Sequence, residues 1–114
     1  MKAHLHLIKW AVARGYSVAV YGEGEFDGVH STYKDIKDNV EACDMGQMNL
    51  VKPSGKKVKP SAKRDGEWVV LASFAFIHEY DQEPEESIYD YGVNEISSEW
   101  ERDYEATRNK EEAA

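Results

Sequence analysis

The residue types that most constrain a chain are scarce in this sequence. A lone cysteine, Cys43, stands among 114 residues, so no intramolecular disulfide can form and no thiolate metal cluster has its ligands. That usage suits a reducing compartment. No apolar run approaches the ~18 residues that a spanning helix needs. The opening MKAHLHLIKWAVARG lacks a signal-peptide cleavage pattern, which predicts a soluble, unexported protein with no membrane partner.

Positive charge is scarce after Arg64. Residues 1–64 carry eleven Lys/Arg against seven Asp/Glu, a balance of +4, whereas residues 65–114 carry three against fifteen, a balance of −12. The basic excess is concentrated in KPSGKKVKPSAKR, residues 52–64, with six cations and no acid. A chain of net charge −8 repels phosphates over most of its surface, so direct nucleic-acid binding is expected only weakly, through residues 52–64. The partner that this balance favours is a basic or nucleic-acid-binding protein.

The length fits one domain, expected over residues 1–110 with a flexible basic loop at 52–66 and a frayed tail at 111–114. Residues 2–14 predict a helix, with Leu5, Ile8 and Val12 as an apolar stripe widened by Leu7 and Ala11, and with Gly15 as its stop. YSVAVY (16–21) predicts a strand, and GEGEFDGV predicts a tight turn into a second strand ending near His30. Ser31 or Thr32 can cap a second helix, with Asp35 at the position that accepts backbone N–H groups and Ile36, Val40 and Cys43 as its stripe; that helix is expected to stop near Gly46. MNLV (48–51) predicts a short strand. WVVLASFAFI (68–77) predicts a central strand covered on both faces. Asn94 can cap a last helix with Ile96, Trp100 and Tyr104 at i, i+4 and i+8. The order helix, strand, strand, helix, strand, strand, helix gives an α+β fold with an antiparallel or mixed sheet of about four strands.

Candidate chemistry is thin. His4 and His6 form an HxH pair, but residues two apart on a helix point in opposed directions and cannot share an ion, so the pair reads as helix surface. His78, Glu79 and Asp81, with Glu83 and Glu85 following, offer oxygen ligands for a hard cation, yet the glycine and terminal bidentate Glu of a calcium loop are missing. Cys43 is expected as a structural thiol, because the negative end of its helix disfavours a thiolate. His30 beside Ser31 reads as a strand end and a cap. No nucleophile and base order, phosphate loop or dinucleotide fingerprint is present, so no catalytic residue, metal or cofactor is assigned and the chain is not expected to be an enzyme.

The acidic half carries the remaining candidates. Glu79, Asp81, Glu83, Glu85, Glu86 and Asp90 in HEYDQEPEESIYDYG, with Glu95, Glu99 and Asp103 on the last helix, are the candidate partner-binding carboxylates. Neighbours in a helical row lie about 6 Å apart, sparser than DNA phosphates, so imitation of a nucleic-acid backbone needs several acidic elements on one face, the turn Glu23, Glu25 and Asp27 among them. The competing reading is a solvated surface in which Arg102 and Arg108 pair with Glu99 and Glu105 at i, i+3. The basic run can equally contact the acidic half of a second copy, which leaves a homodimer open.

The words RGYSVAVYGEGEFDGVHST, before a helix, and PEESIYDYGVNEISSEW, leading into the last helix, resemble small accessory proteins of tailed phages and prophages. The glycine positions of GEGEFDG and the basic insert at 52–64 depart from that pattern, and both fall in loops. The resemblance implies a protein of the host bacterial cytoplasm that binds a host factor and inhibits or redirects it. A metal-dependent enzyme built on His78, Glu79 and Asp81, or a structural phage component, is the rival expectation.

Overall fold

The computed structural model describes residues 3–43, 45–53, 68–77, 88–90 and 95–113. The order is α1 (Ala3–Ala13), β1 (Ser17–Gly22), β2 (Glu25–His30), α2 (Tyr33–Glu41), β3 (Met45–Pro53), β4 (Trp68–Ile77), β5 (Ile88–Asp90) and α3 (Glu95–Ala113). The strands form one antiparallel sheet in the order β2-β1-β3-β4-β5. It is the expected four-stranded α+β sheet, extended at one edge by the three residues of β5.

Local chemistry explains most boundaries. α1 ends in a left-handed Gly15 (φ 79°), with the Gly15 N–H donating to the Val12 carbonyl and the Tyr16 N–H to that of Ala11. Those two bonds satisfy carbonyls that the helix end would otherwise leave open. The hairpin between β1 and β2 closes through Glu23 (φ 52°) and Gly24 (φ 88°), the paired left-handed residues of a two-residue turn whose twist matches the strands. Thr32 caps α2, its hydroxyl accepting from the Asp35 N–H at 3.2 Å.

Register decides what is core. Val18 and Val20 of β1 lie beside Leu50 and Met48 of β3, which lie beside Ala72 and Phe74 of β4, and all are buried under the helices. The other face carries Ala19, Asn49 and Ser73 in one row and Tyr21, Gln47 and Ala75 in the next. Gly46 sits where a side chain would collide with the Tyr21 carbonyl and the Phe76 ring, so β1 and β4 close on β3 there because glycine has no Cβ.

Several expectations are corrected. β3, not β4, is the central strand; it runs nine residues rather than four, because Gln47 and Asn49 on the far face broke the apolar pattern that a buried strand was expected to show. β4 is fully buried on one face only: Ala72, Phe74 and Phe76 are buried, while Ser73, Ala75 and Ile77 on the other face are half-buried. Small Ala and Ser residues on its far face made it look apolar throughout. The buried stripe of α1 runs through Ala3, His4, Leu7, Ile8 and Ala11, so Leu5 lies to its side. Helix α2 stops at Glu41, short of Gly46, which places Cys43 beyond the helix and half-buried. The tail expected to fray is helical through Ala113. Pairing of β5 with Phe74–Phe76 adds a short strand within HEYDQEPEESIYDYG, beyond the four strands expected.

Candidate functional site

Helix α3 carries the acidic rows, and its docking on α1 decides which carboxylates are available. Its apolar stripe is the expected one: Trp100 is buried, with Ile96 and Tyr104 partly buried against the core. The Trp100 ring meets Phe74 at 5.4 Å, nearly perpendicular, and stacks on Tyr104 at 5.5 Å. Such aromatic pairs add stability beyond the area they bury.

A polar chain runs along the same seam. The Trp100 indole N–H donates to His6 Nδ1 at 3.0 Å. Because an indole nitrogen only donates, that ring nitrogen must be bare, which leaves the proton of the neutral imidazole on Nε2. From there it donates to Thr107 Oγ1 at 3.3 Å, and the Thr107 hydroxyl donates to the Asp103 carbonyl at 3.0 Å. The Tyr104 ring approaches His6 edge-on at 5.2 Å. Burial lowers the His6 pKa from its ordinary 6.5, against the opposing pull of Asp103 and Glu111, with the N-terminal charge lowering it further. The expected helix-surface pair is thus corrected. His6 belongs to the α1–α3 seam, and His4, 3 % exposed, turns the other way towards Glu41, with Nε2 3.4 Å from its carboxylate.

Two of the three carboxylates in the Glu95, Glu99, Asp103 row are committed to this joint. Asp103 accepts from the Trp10 indole N–H at 2.7 Å and from Arg14 at 3.3 Å. Glu99 pairs with the same guanidinium at 2.7 Å, and Arg14 lies over the Trp10 ring at 4.2 Å. The Trp10 bond holds the Asp103 carboxyl below its ordinary range, opposed by partial desolvation and reinforced by Arg14 and His6. Glu99 therefore turns to Arg14 across the seam, in place of the i, i+3 contact with Arg102. Glu95, Glu101 and Glu105 are exposed on the outer side of the helix.

The other predicted carboxylates are placed less closely. Glu79, Asp81, Glu83, Glu85 and Glu86, like His78, the Asn94 cap and the basic residues 56–64, lie outside the described residues. The backbone of Asp90 pairs with Phe74, and its side chain is outside the described set. Around the hairpin, Asp27 accepts weakly from the Cys43 thiol at 3.8 Å, and its carbonyl lies 2.9 Å from His30 Nε2. Ser31 Oγ meets Ser17 Oγ at 2.8 Å, so His30 and Ser31 make no base and hydroxyl pair with each other in these bonds. Among the described residues, no group of three His, Cys, Asp or Glu side chains is placed to hold a metal ion. No described helix is long and apolar enough to cross a membrane.

Sequence reasoning did not find an open groove of about 610 Å³ at the hairpin end of the sheet. Tyr21, Gln47, Ala75 and Ile77 floor it, Met45 flanks it and Glu23 stands at its rim. Its floor residues project from the face opposite the one that α3 covers. No protein-family model matches this chain, and no curated protein or solved structure matches it.

Proposed function

We propose that the protein acts by binding rather than by catalysis. In this reading the outer face of α3, with Glu95, Glu101 and Glu105, docks on a positively charged surface of a partner protein. The carrying observation is the sorting of the acidic residues: Trp10 and Arg14 draw Glu99 and Asp103 into the joint, which anchors the helix while its outer carboxylates stay exposed. Residues 95–113 hold seven carboxylates against three cations, so the anchored helix presents a net negative surface. Such complementarity steers association and selects partners more than it supplies raw affinity.

The resemblance to phage accessory proteins supports a partner class. The partner is a host protein that handles nucleic acid or serves defence, met in the bacterial cytoplasm and inhibited or redirected there. Imitation of a DNA backbone narrows accordingly, because the Glu95, Glu99, Asp103 row keeps one uncommitted member. What remains is acidic docking by one helix, with residues 79–86 adding charge to the same half of the chain. A pull-down from nuclease-treated bacterial lysate at low salt, repeated at about 0.5 M salt, tests this reading, since screening at that ionic strength shortens the range of surface charges to a few ångströms. A specific protein held at low salt and released at high salt is expected. Recovery of none, or retention unaffected by salt, overturns it.

A further inference from the structure

Helix α3 is joined to α1 by a seam whose bonds require a neutral imidazole at its centre. We propose that protonation of His6 unlocks α3 from α1, so that in mild acid the helix opens as a unit while the sheet under α1 and α2 stays folded. This goes beyond the docking proposed for α3, because it concerns how the helix is held and not what it meets.

The tautomer of His6 supplies the lock. Trp100 is 4 % exposed, and its indole N–H donates to the bare Nδ1 of His6 at 3.0 Å. An imidazolium donates from both nitrogens, so a proton added at Nδ1 sets one N–H against another. Turning the ring over brings no relief, since Nε2 already donates to Thr107. The docked seam accepts the neutral ring and rejects the charged one, which would leave a buried indole donor without its acceptor.

The groups that face His6 set the strength of this lock. From α3 come the carboxylates of Asp103 and Glu111 and the ring of Tyr104, and from the start of the chain comes the terminal amine. Phe74 of β4 meets the other side of Trp100 and adds no charge. The two carboxylates favour a charged imidazole, but burial outweighs them and the amine opposes them. Asp103 is also occupied by Trp10 and Arg14. Its carboxyl, held below its ordinary range, keeps its charge in mild acid, so His6 is the member of this cluster that responds there.

The fold confines the opening to one helix. α3 packs on α1 and β4, and its fully buried side chains are Ser97 and Trp100. The rest of the core, through Leu7, Ile8, Val20, Ile36, Met48 and Leu50, belongs to α1, α2 and the strands, which close on one another. A terminal helix of this kind is a natural unit of partial unfolding. Once released, the ring regains its ordinary affinity for a proton near pH 6.5, above that of the docked state. Docking supported by the neutral ring is therefore complete above that pH, and each pH unit below it raises the open population by up to about tenfold until the docked ring titrates.

Hydrogen exchange on the full chain at about pH 7.5 and 5.5, corrected for intrinsic rates and repeated in low urea, provides the test. The α3 amides should exchange through an opening that is less stable and less urea-sensitive than the one that frees β1 and β3, and that is about threefold to tenfold more populated at the lower pH. His6→Gln offers an oxygen to Trp100 and an N–H to Thr107 with no proton to gain, so its α3 opening should not change with pH. Trp100→Phe gives an independent reading: with the indole donor gone, the His6 pKa followed by NMR should rise towards 6.5. Exchange of α3 only together with the strands, a shift of less than about threefold, or a His6 pKa unmoved in Trp100→Phe overturns the proposal. Either result leaves the α3 docking reading to its own pull-down, because the exchange experiment contains no partner.

Discussion

Replacing Asp103 separates the two roles that its carboxylate could play. If it belonged to a free acidic surface, Asp103→Ala would leave the fold nearly untouched, as most surface substitutions do, within about 0.5 kcal/mol. In the structure it accepts a 2.7 Å bond from the indole of Trp10, which is itself 9 % exposed, and lies 3.3 Å from Arg14. Loss of a hydrogen bond to a charged acceptor, with the donor left poorly solvated, costs about 1.5–3 kcal/mol. The Arg14 contribution is smaller, below about 1 kcal/mol, because both side chains are more than a third exposed and water screens the pair. A total near 2 kcal/mol shifts the midpoint of a chain this size by roughly 8 °C. Asp103→Asn keeps an acceptor for Trp10 and should cost about half as much. Thermal unfolding followed by tryptophan fluorescence reads these values, and a double-mutant cycle with Trp10→Phe should return about 1 kcal/mol of coupling. A loss for Asp103→Ala as small as that of Glu101→Ala, with no coupling to Trp10, would refute the joint.

Two further outcomes follow from the same geometry. The His6 pKa is lower in the fold than in the unfolded chain, so the unfolded state binds more protons between the two values; stability should be complete above about pH 6.5 and decline as pH falls through the window below it. Urea unfolding between pH 7 and 5 should show that slope, and His6→Gln, which has no proton to take up, should flatten it; the Asp103 carboxyl adds a separate loss only at pH values below its ordinary 3.8. Gly46→Ala should cost about 2–4 kcal/mol by denaturant unfolding, since its Cβ would meet the Tyr21 carbonyl and the Phe76 ring, whereas Gly24→Ala meets no neighbour and should cost less, through its positive φ alone.

Features written in neighbouring residues were legible in the sequence. Gly15, Thr32 with Asp35, the Glu23–Gly24 turn and the limits of β4 each depend on chemistry within a few positions, and each appears where local rules place it. The joint did not announce itself, because His6 meets Trp100 and Thr107 across separations of 94 and 101 residues, and Trp10 meets Asp103 across 93. No short pattern marks an indole that will find a carboxylate so far along the chain. The i, i+4 spacing of Glu95, Glu99 and Asp103 was readable, but not that Arg14 would claim two of them. The groove was hidden for a related reason: Tyr21, Gln47 and Ala75 are scattered along the chain and become neighbours only through strand register.

The central claim is that the exposed carboxylates of α3 make the contact while Glu99 and Asp103 hold the helix. Affinity capture from lysate with the wild-type chain beside Glu95→Gln/Glu101→Gln/Glu105→Gln tests it most directly, because those three changes alter charge without touching the joint. The account predicts an unfolding midpoint within about 6 °C of wild type, with loss of the protein captured at low salt. Capture of the same partner at undiminished yield by the neutralised helix would contradict it.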